Sequence, residues 1–524
     1  MAARMSEGLA IAQARDTAQA ADAVQSVDTA QAVATAQAAD TAQAADTAQA
    51  VDNRTNGSNA DGCFLVEVES IDLEGRGVAR RAGKVIFLDQ GLPGERIVAR
   101  TTKRGTRFDR AQAVEIRRAS SARVNPRCPH FGICGGCSMQ HIDGPSQIAI
   151  KQRVLEDQLW HLARIRPDHI LAPVAGGAWN YRRRARLSVR HVLRKGSVLV
   201  GFHERSSRYV ADMLECHVMS QRVSALLPEL RSVVASLSIR DKVPQIEVSE
   251  GDPAMLGSEN AALQAAPSTL VPSTLAPSTL ALVFRVLASP DEDDLERLRA
   301  FAATHALELW LQAQGPDSAR LLHPERSQLG YTLQEFGLRM DFLPTDFTQV
   351  NHAMNAVMVS QAVAHLDLKA DDRVIDLFSG LGNFSLPIAR HAREVLGVEL
   401  NDSLTLRARG LADRHALGSV ARFLTANLFA MPFSAWEALG PFSKAVIDPP
   451  REGAQQVCTY LAQQTLSPAR IVYLSCNPAT LARDAAILVH QGPYRLRSAG
   501  VMNMFPHTSH VESMAVFDKT KDPA

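Results

Sequence analysis

The last third of the chain alternates short apolar runs with stretches of helical periodicity. The runs "DRVIDL", "EVLGVEL", "KAVID" and "RIVYLS" follow one another, and segments long enough for a helix separate them. Parallel strands require crossover connections of this kind, and they read as continuous apolar runs because helices cover both faces of their sheet. Residues 341–524 are therefore predicted to form a Rossmann-like domain with an open parallel α/β sheet.

Two other kinds of region precede this domain. Between Cys63 and Ala119, short alternating segments such as "FLVEVESI" and "KVIFLD" are separated by turns that contain glycine and proline. About five short strands in a segment of this size are typical of an OB-like barrel, so a barrel is predicted at 59–119. The region 120–340 mixes strand-like and helix-like patterns and is assigned to a central α+β domain. The whole chain is thus predicted to be a multidomain α/β protein.

Two segments have low sequence complexity. Residues 1–58 are rich in alanine and glutamine, repeat "DTAQA" and contain no aromatic residue that would anchor a core. This tail is predicted to be disordered or loosely helical. An insertion at about 257–281 contains "PSTLVPSTLAPSTL" from Pro267 to Leu280, and it is interpreted as a surface loop.

The composition favours a cytoplasmic protein with a polyanionic partner. Seven cysteines in 524 residues are too few for a disulfide scaffold. No export signal opens the chain, and charges such as Arg285 interrupt its apolar stretches, so no membrane segment is expected. The net charge of +1 conceals basic runs at 100–127 and 180–190. Such runs are often only solvated faces, but two of them in one half of the protein make a polyanion partner about as likely as not. A monomer is expected.

The sequence "RVIDLFSGLGNFSLPIA" has the features of a nucleotide-binding turn. An apolar strand ends in Asp376, and Gly380 and Gly382 let the backbone approach a ligand closely. Glu399 ends the next strand about 20 residues further on, where a carboxylate can accept hydrogen bonds from ribose hydroxyls. Ser385 stands where a dinucleotide fingerprint has glycine or alanine, which favours S-adenosylmethionine, an adenosine without phosphates. A structural glycine turn in another α/β enzyme is the alternative.

A thiol follows the apolar run in "VYLSCNPATLARD". Reactive groups collect at the carboxyl ends of strands in open α/β sheets, so Asp448 in "VIDPPR" and Cys476 are predicted to face one crevice. Asn477 is a candidate helix cap and Pro478 a first-turn residue. This places Cys476 beside a helix N-terminus, whose partial positive charge favours a thiolate. The alternative is an inert buried cysteine.

Four cysteines form a candidate metal site: Cys128, Cys134, Cys137 and Cys216. The first three follow the spacing C-x5-C-x2-C, whereas structural zinc sites generally use two closely spaced pairs. Three clustered thiols and a distant fourth are nearer to the ferredoxin pattern, which favours a [4Fe-4S] cluster over zinc. Cys63 and Cys458 are interpreted as ordinary residues.

Six motifs resemble, in order, those of the RNA uracil-C5 methyltransferases: "DFTQVN", "DLFSGLGNF", "VEL", "IDPPR", "LSCNPATLARD" and "MFPHTSHVE". With "CPHFGICGGC" and the preceding barrel, the chain resembles the type that acts on bacterial 23S ribosomal RNA and carries a TRAM domain. The resemblance implies S-adenosylmethionine as methyl donor, RNA binding by the barrel and a structural or RNA-orienting [4Fe-4S] cluster. The implied cofactor-binding residues are Gln349, Phe378, Asn383, Glu399, Asn427 and Asp448.

The same resemblance implies Cys476 as the nucleophile and Glu512 as the base. A thiolate that adds to C6 of uracil moves electron density onto C5, which then accepts the methyl group. A carboxylate must next remove the C5 proton before the thiolate leaves. Asn503 departs from the family, which usually has Asp at this position, and "HIDGPSQIAIKQ" lacks an expected Tyr.

Two other functions stay open. One is a tRNA uracil-C5 methyltransferase, which shares the catalytic domain but normally lacks the cysteine cluster and the barrel. The other is an RNA-binding ribosome-assembly factor with an inactive catalytic fold. The presence of Cys476, Asp448 and Glu512 argues against an inactive fold.

Overall fold

The computed structural model describes residues 62–253, 278–463 and 467–520. Contacts divide the chain into two compact units, with the division between Ser121 and Ala122. The low-complexity tail and most of the insertion lie outside the described residues. Among the described helices, none combines the length and apolar character that a membrane span requires.

The first unit contains a closed five-stranded barrel, as the sequence predicts. Its strands are β1 (Cys63–Ile71), β2 (Gly77–Arg81), β3 (Lys84–Asp89), β4 (Arg96–Arg104) and β5 (Phe108–Arg118). The order around the barrel is β1-β2-β3-β5-β4, and β3 and β5 run parallel. Alternate residues of β1, namely Phe64, Val66 and Val68, are buried in its core. At Gly77 a Cβ would lie 2.8 Å from the Gly91 carbonyl oxygen, so only glycine fits there.

The second unit contains a six-stranded sheet of order β12-β11-β10-β9-β7-β8. Its strands are β7 (Arg184–Val192), β8 (Ser197–Gly201), β9 (Gln245–Pro253), β10 (Ser278–Arg285), β11 (Glu308–Gln312) and β12 (Arg320–His323). A separate hairpin follows, formed by β13 (Gly330–Leu333) and β14 (Leu338–Asp341). Ser278–Leu280 belong to β10, so the expectation that the low-complexity segment is a loop up to Leu280 is wrong for its last three residues. They pair with β9, which supplies the backbone hydrogen bonds of the sheet.

An eight-stranded sheet of order β17-β16-β15-β18-β19-β21-β20-β6 completes the second unit. Its strands are β6 (His169–Ile170), β15 (Arg373–Leu377), β16 (Glu394–Glu399), β17 (Ala421–Thr425), β18 (Lys444–Ile447), β19 (Arg470–Ser475), β20 (Tyr494–Met502) and β21 (Glu512–Lys519). Strands β15 to β19 are parallel, as predicted. The sheet as a whole is mixed, because β21 runs antiparallel between β19 and β20.

Helices cover both faces of this sheet. The described α-helices are α1 (Gly144–Ala163), α2 (Gln221–Ser236), α3 (Glu292–Thr304), α4 (His352–Leu366), α5 (Ser385–Ala389), α6 (Asp402–Arg414), α7 (Phe433–Ala438), α8 (Gln455–Gln463) and α9 (Pro478–His490). In β19, Val472 and Leu474 join the core that contains α4, α5 and α6, whereas Ile471 and Tyr473 join the core that contains α1, α8 and α9. This alternation produces a three-layer α/β/α arrangement.

Residues before 341 also contribute to the eight-stranded sheet. Strand β6 pairs with β20, and α1 packs against α9 and β20. Residues 122–524 accordingly form one compact unit by their contacts. The boundary near 340 therefore stays a prediction of the sequence.

Candidate active site and cysteine site

The carboxyl ends of β15 and β18 lie where the strand order of the sheet reverses. The chain adds β16 and β17 on one side of β15, and then β18 and β19 on the other. Open α/β sheets bind ligands at such switch points. Phe378 directly follows β15 and Asp448 directly follows β18, so two of the predicted cofactor-binding residues flank this point.

The turn after β15 has an uncommon backbone. Phe378, Gly380 and Gly382 have φ angles of 66°, 55° and 86°. Positive φ is readily adopted by glycine but not by a residue with a bulky side chain, so Phe378 is held by its surroundings. The amides of Phe378 and Ser379 both donate to the Val398 carbonyl oxygen, at 2.9 and 3.0 Å. The turn is thereby fastened to the end of β16.

Glu399 braces the same turn. Its carboxylate accepts hydrogen bonds from the amides of Gly380, at 3.0 Å, and Asn401, at 2.9 Å. Each bond uses a different carboxylate oxygen, and an ionised carboxylate offers about four acceptor positions. Glu399 therefore keeps capacity to accept hydrogen bonds from two ligand hydroxyls.

The other predicted cofactor-binding residues differ in their surroundings. Asn427 follows β17, is exposed and accepts a hydrogen bond from the Phe429 amide at 3.0 Å. Gln349 is half-buried in the loop that leads into α4. Asn383 makes a two-way amide pair with Asn355, at 2.9 and 3.0 Å, and also accepts from the Tyr331 hydroxyl. The side chain of Asn383 is thus engaged within the protein.

Asp376 and Ser385 form a buried pair below the turn. The Ser385 hydroxyl donates to Asp376 Oδ2, and both residues are fully buried. Ser385, which departs from the dinucleotide fingerprint, therefore has a specific partner here. Burial raises the pKa of Asp376 to about 7, and the hydrogen bond from Ser385 opposes this shift.

Cys476 and Glu512 lie at the ends of two paired strands, one residue beyond the last paired residues. Strands β19 and β21 are antiparallel with Ser475 opposite Ser513. The next step of this register places Cys476 opposite Glu512, and the Ser513 hydroxyl donates to the Ser475 carbonyl oxygen at 3.1 Å. Glu512 is buried, whereas Cys476 is partly exposed. The structure thus brings the predicted nucleophile and base together across two neighbouring strands.

The helix that follows Cys476 begins as the sequence predicts. Asn477 is the N-cap of α9, and its side chain accepts a hydrogen bond from the Ala479 amide at 3.1 Å. Asn477 Nδ2 also donates to the Arg451 carbonyl oxygen at 3.1 Å, which joins α9 to the loop after β18. Sequence analysis missed Arg451, although it is the last residue of "IDPPR".

The protonation of this crevice differs from the sequence-based expectation. Burial, with Glu512 and Asp448 nearby, raises the pKa of the Cys476 thiol to about 12, and Arg451 only partly opposes the shift. The expected thiolate is therefore wrong for the free protein, because burial outweighs the helix N-terminus. Burial also raises the pKa of Asp448 to about 7, and burial beside Asp448 raises the pKa of Glu512 well above its usual value.

The four candidate metal-binding cysteines come together in three dimensions. Cys128, Cys134, Cys137 and Cys216 all line one small cavity. All four are free thiols whose pKa values are raised chiefly by burial. The other thiols add to the shift for Cys134, Cys137 and Cys216, whereas Glu215 adds to it for Cys128. The Gly136 amide donates to Cys134 Sγ at 3.4 Å. Among the described residues, no group of three or more His, Cys, Asp or Glu side chains is arranged to hold a single metal ion.

Three curated relatives cover most of the chain. The protein of Bordetella bronchiseptica is 53% identical over 87% of this chain and 93% of its own length. Those of Cupriavidus metallidurans and Burkholderia pseudomallei are 48% and 50% identical over 87% of this chain and 95% of their own lengths. Each is named 23S rRNA (uracil(1939)-C(5))-methyltransferase RlmD. The chain belongs to this methyltransferase family.

A family model and a solved structure also match this methyltransferase. The family model tRNA (Uracil-5-)-methyltransferase matches residues 292–416 and 439–520. The crystal structure of Pyrococcus abyssi tRNA (uracil-54, C5)-methyltransferase in complex with S-adenosyl-L-homocysteine is similar, with a TM-score of 0.63 and 19% identity. The match covers 87% of the present chain and 100% of the Pyrococcus abyssi chain. This likeness confirms the methyltransferase fold.

The two basic runs of the methyltransferase differ in exposure. In the first unit, most of the basic side chains from Arg100 to Arg118 are exposed. In the second run, Arg183 pairs with Glu250 at 2.8 Å and Arg186 with Glu247 at 3.0 Å, and Arg182 to Arg184 are half-buried. The second run thus serves partly to pair buried acids, which a charge count along the sequence does not reveal.

Proposed function

We propose that this methyltransferase transfers a methyl group from S-adenosylmethionine to C5 of one uridine in 23S ribosomal RNA through a transient bond between Cys476 Sγ and C6. The observation that carries the proposal is the facing position of Cys476 and Glu512 next to Asp448. A nucleophile on one side of the pyrimidine and a base on the other are what C5 methylation requires.

The proposed reaction passes through a covalent adduct between Cys476 and the uracil ring. The Cys476 thiol loses its proton to water, and the thiolate adds to C6 while the electrons of the C5–C6 double bond move toward C5 and O4. C5 then forms a bond to the methyl carbon as the carbon–sulfur bond of the donor breaks. Glu512 accepts the C5 proton, the double bond forms again, and the bond between C6 and Cys476 Sγ breaks, which leaves Cys476 as a thiolate. Return of the proton from Glu512 to this thiolate restores both groups. The products are 5-methyluridine, S-adenosylhomocysteine and one proton.

Charge in the crevice links donor binding to this chemistry. Burial raises the pKa of Asp448 to about 7 and the pKa of Glu512 well above its ordinary value, so burial disfavours the ionised form of both groups in the free protein. The methyl donor has a positive sulfonium, and a nearby positive charge favours the ionised form of a carboxyl group. Donor binding therefore prepares Glu512 as the carboxylate that removes the C5 proton.

The donor site that we propose lies at the switch point. Glu399 accepts the ribose hydroxyls, Phe378 contacts the adenine ring, and Asp448 and Asn427 complete the edge at the ends of β18 and β17. Gln349 borders it from the loop before α4, and Asn383 borders it from the glycine turn. The side-chain amide of Asn383 already has protein partners, so we propose that Asn383 contacts the methyl donor through its backbone.

Ribosomal RNA is the proposed substrate because the relatives that match most of the chain are named for it. The fold does not decide between RNA classes, since the similar archaeal structure is named for a tRNA and spans most of this chain. Exposed basic residues of the barrel, such as Arg100, Lys103 and Arg107, supply a surface for RNA phosphates. An enzyme with this substrate works in the cytoplasm, and we propose that it acts as a monomer.

We further propose that Cys128, Cys134, Cys137 and Cys216 hold a [4Fe-4S] cluster. Each thiolate of such a cluster binds a different iron, so the four sulfurs need not converge on one point as they must for zinc. The amide of Gly136 at Cys134 Sγ is a contact of the kind that tunes such clusters. Methyl transfer through a cysteine adduct consumes no electron, so the proposed role is structural. Equal amounts of iron and sulfide, near four per chain, would support the proposal, whereas one zinc per chain would overturn it.

Methyl transfer is tested by incubating the protein with labelled donor and three RNAs: unmodified 23S ribosomal RNA, a fragment of it, and unmodified tRNA. Label at C5 of a single ribosomal uridine is expected. Label only in tRNA would support the tRNA enzyme instead. Tight RNA binding without any transfer would favour the assembly factor.

A further inference from the structure

The loop 503–511 connects β20 to β21 and ends directly before Glu512. The loop therefore leads directly into the residue that carries the proposed base. Few of its hydrogen bonds are made within the loop. Most of its hydrogen-bond partners belong to two distant segments, the residues directly after Cys137 and the first turns of α1.

His507 is the residue on which these contacts converge. Its φ angle is 65°, and its ring stacks on Trp179 with ring centroids 3.9 Å apart. Its carbonyl oxygen accepts hydrogen bonds from the amides of Ser138, at 2.9 Å, and Met139, at 3.0 Å. A left-handed backbone at a non-glycine residue is maintained only when its surroundings determine it. The surrounding contacts therefore fix the middle of the loop.

Gln147 supplies the side-chain part of this restraint. Its Oε1 accepts from the His507 amide at 2.8 Å, and its Nε2 lies 3.2 Å from His507 Nδ1. The same Nε2 donates to the carbonyl oxygens of Ile142, at 2.8 Å, and Met139, at 3.1 Å. Gln147 is buried. One amide thus ties the segment after Cys137 to the loop before Glu512.

Other contacts secure the rest of the loop. The Tyr181 hydroxyl donates to the Pro506 carbonyl oxygen at 2.9 Å, and the Ser509 amide donates to Ser138 Oγ at 3.1 Å. Lys151, one turn after Gln147 on α1, donates to Asn503 Oδ1 at 2.9 Å and to the Phe505 carbonyl oxygen at 2.8 Å. Contacts at so many positions give the loop a single conformation.

We infer that Gln147 is a positioning residue for Glu512, and that together with the segment directly after Cys137 it fixes His507 and the loop that carries the base into the crevice. The inference rests on the proposed role of Glu512. It assigns a task to the cysteine region, because Cys137 directly precedes the residues that hold His507. A well-ordered cysteine site holds Ser138, Met139 and Gln147 in place, and these residues in turn hold the loop before Glu512.

The two halves of the proposed reaction depend on this loop to different degrees. Cys476 is carried by β19 and α9, which do not belong to the loop, so adduct formation and methyl transfer persist when the loop shifts. Removal of the C5 proton requires Glu512, and a misplacement of about 1 Å can slow a step about 100-fold. A displaced loop therefore traps the methylated adduct, in which Cys476 is still bonded to C6.

Gln147→Leu removes the amide at similar volume, and Gln158→Leu is its matched control. Gln158 lies on the same helix and is equally buried, but within the described structure its side-chain amide has no hydrogen-bond partner. Each variant is mixed with donor and ordinary ribosomal RNA, and the covalent protein–RNA product is measured on a denaturing gel. We expect at least tenfold more adduct and at least tenfold slower turnover in Gln147→Leu, and no change in Gln158→Leu.

Glu512→Gln provides the reference, and amide hydrogen exchange provides a readout that does not depend on activity. Residues 503–511 should exchange faster in Gln147→Leu and in Cys137→Ser, but not in Gln158→Leu. If Glu512→Gln accumulates adduct and Gln147→Leu does not, the inference about Gln147 is wrong, while the proposed role of Glu512 stands. Parallel loss of adduct formation and turnover in Gln147→Leu also overturns it. If Glu512→Gln accumulates no adduct, the proposed role of Glu512 fails first.

Discussion

Cys476 and Glu512 stand opposite each other at the ends of β19 and β21, one register step beyond the pair Ser475 and Ser513. This relationship depends on the antiparallel strand β21, which lies between β19 and β20. Burial raises the pKa of the Cys476 thiol to about 12 and the pKa of the Glu512 carboxyl well above its ordinary value. Burial in the free protein therefore disfavours the thiolate and the carboxylate that the proposed reaction uses.

The first prediction concerns the reactivity of this thiol. Because the pKa of Cys476 is raised to about 12, alkylation of Cys476 in the free protein should be slow at pH 7 and rise about tenfold per pH unit up to pH 10. Mass spectrometry of the Cys476 peptide after iodoacetamide treatment measures this rate, with free glutathione as the reference. Arg451→Ala should slow it further, because Arg451 lowers this pKa. A rate that levels off near pH 7 would contradict the raised pKa.

The second prediction concerns proton release when the methyl donor binds. Burial raises the pKa of Asp448 to about 7, and a positive sulfonium nearby favours the carboxylate. The share of the release that comes from Asp448 should therefore be larger at pH 6, where Asp448 is mostly protonated, than at pH 8, where it is mostly ionised. Calorimetry in buffers of different ionisation enthalpy measures the protons released. Asp448→Asn should reduce the release, whereas the exposed Asp413→Asn should leave it unchanged. If Asp448→Asn released as many protons as the unaltered protein at pH 6, this prediction would be contradicted.

The third prediction concerns Lys151, whose pKa is lowered to about 7 by burial. Between pH 7 and its ordinary pKa of 10.5, the unfolded chain binds this proton and the folded chain does not, so Lys151 makes stability rise with pH. Each pKa unit corresponds to about 1.4 kcal/mol. Asn503→Asp places a carboxylate beside Nζ, raises the pKa of Lys151 and should flatten this rise. Urea unfolding at pH 7 and pH 9 tests the difference, and identical pH dependence in both proteins would refute it.

The fourth prediction concerns the packing beneath the glycine turn. At Gly397 on β16, a Cβ would lie 2.6 Å from Phe423 and 2.9 Å from Ser379 Oγ. Gly397→Ala should destabilise the protein by about 1–3 kcal/mol and weaken donor binding, because overpacking displaces neighbours. Gly410→Ala on α6 meets no atom within 4 Å and should stabilise by about 0.5–1 kcal/mol. Thermal unfolding measures both changes. If Gly397→Ala left the stability unchanged, Phe423 and Ser379 would have moved aside without cost, which would contradict the prediction.

Sequence patterns sufficed for features that depend on local chemistry. The barrel, the parallel strands β15 to β19, the cap at Asn477 and the grouping of Asp448 with Cys476 follow from turn residues, apolar runs and strand ends. The antiparallel insertion of β21 has no local signature, so only the family resemblance brought Glu512 to attention. The protonation of Cys476 was missed because burial is a tertiary property. Lys151 and Asn503 are 352 residues apart, and no single-sequence pattern connects them.

The most direct test of the account uses ribosomal RNA that carries 5-fluorouridine at the target position. Fluorine at C5 leaves Glu512 no proton to remove, so the methylated adduct should persist and should be mapped by mass spectrometry to Cys476. Cys476→Ala should form none. A methylated product without a covalent intermediate, or an adduct at another residue, would contradict the proposed mechanism.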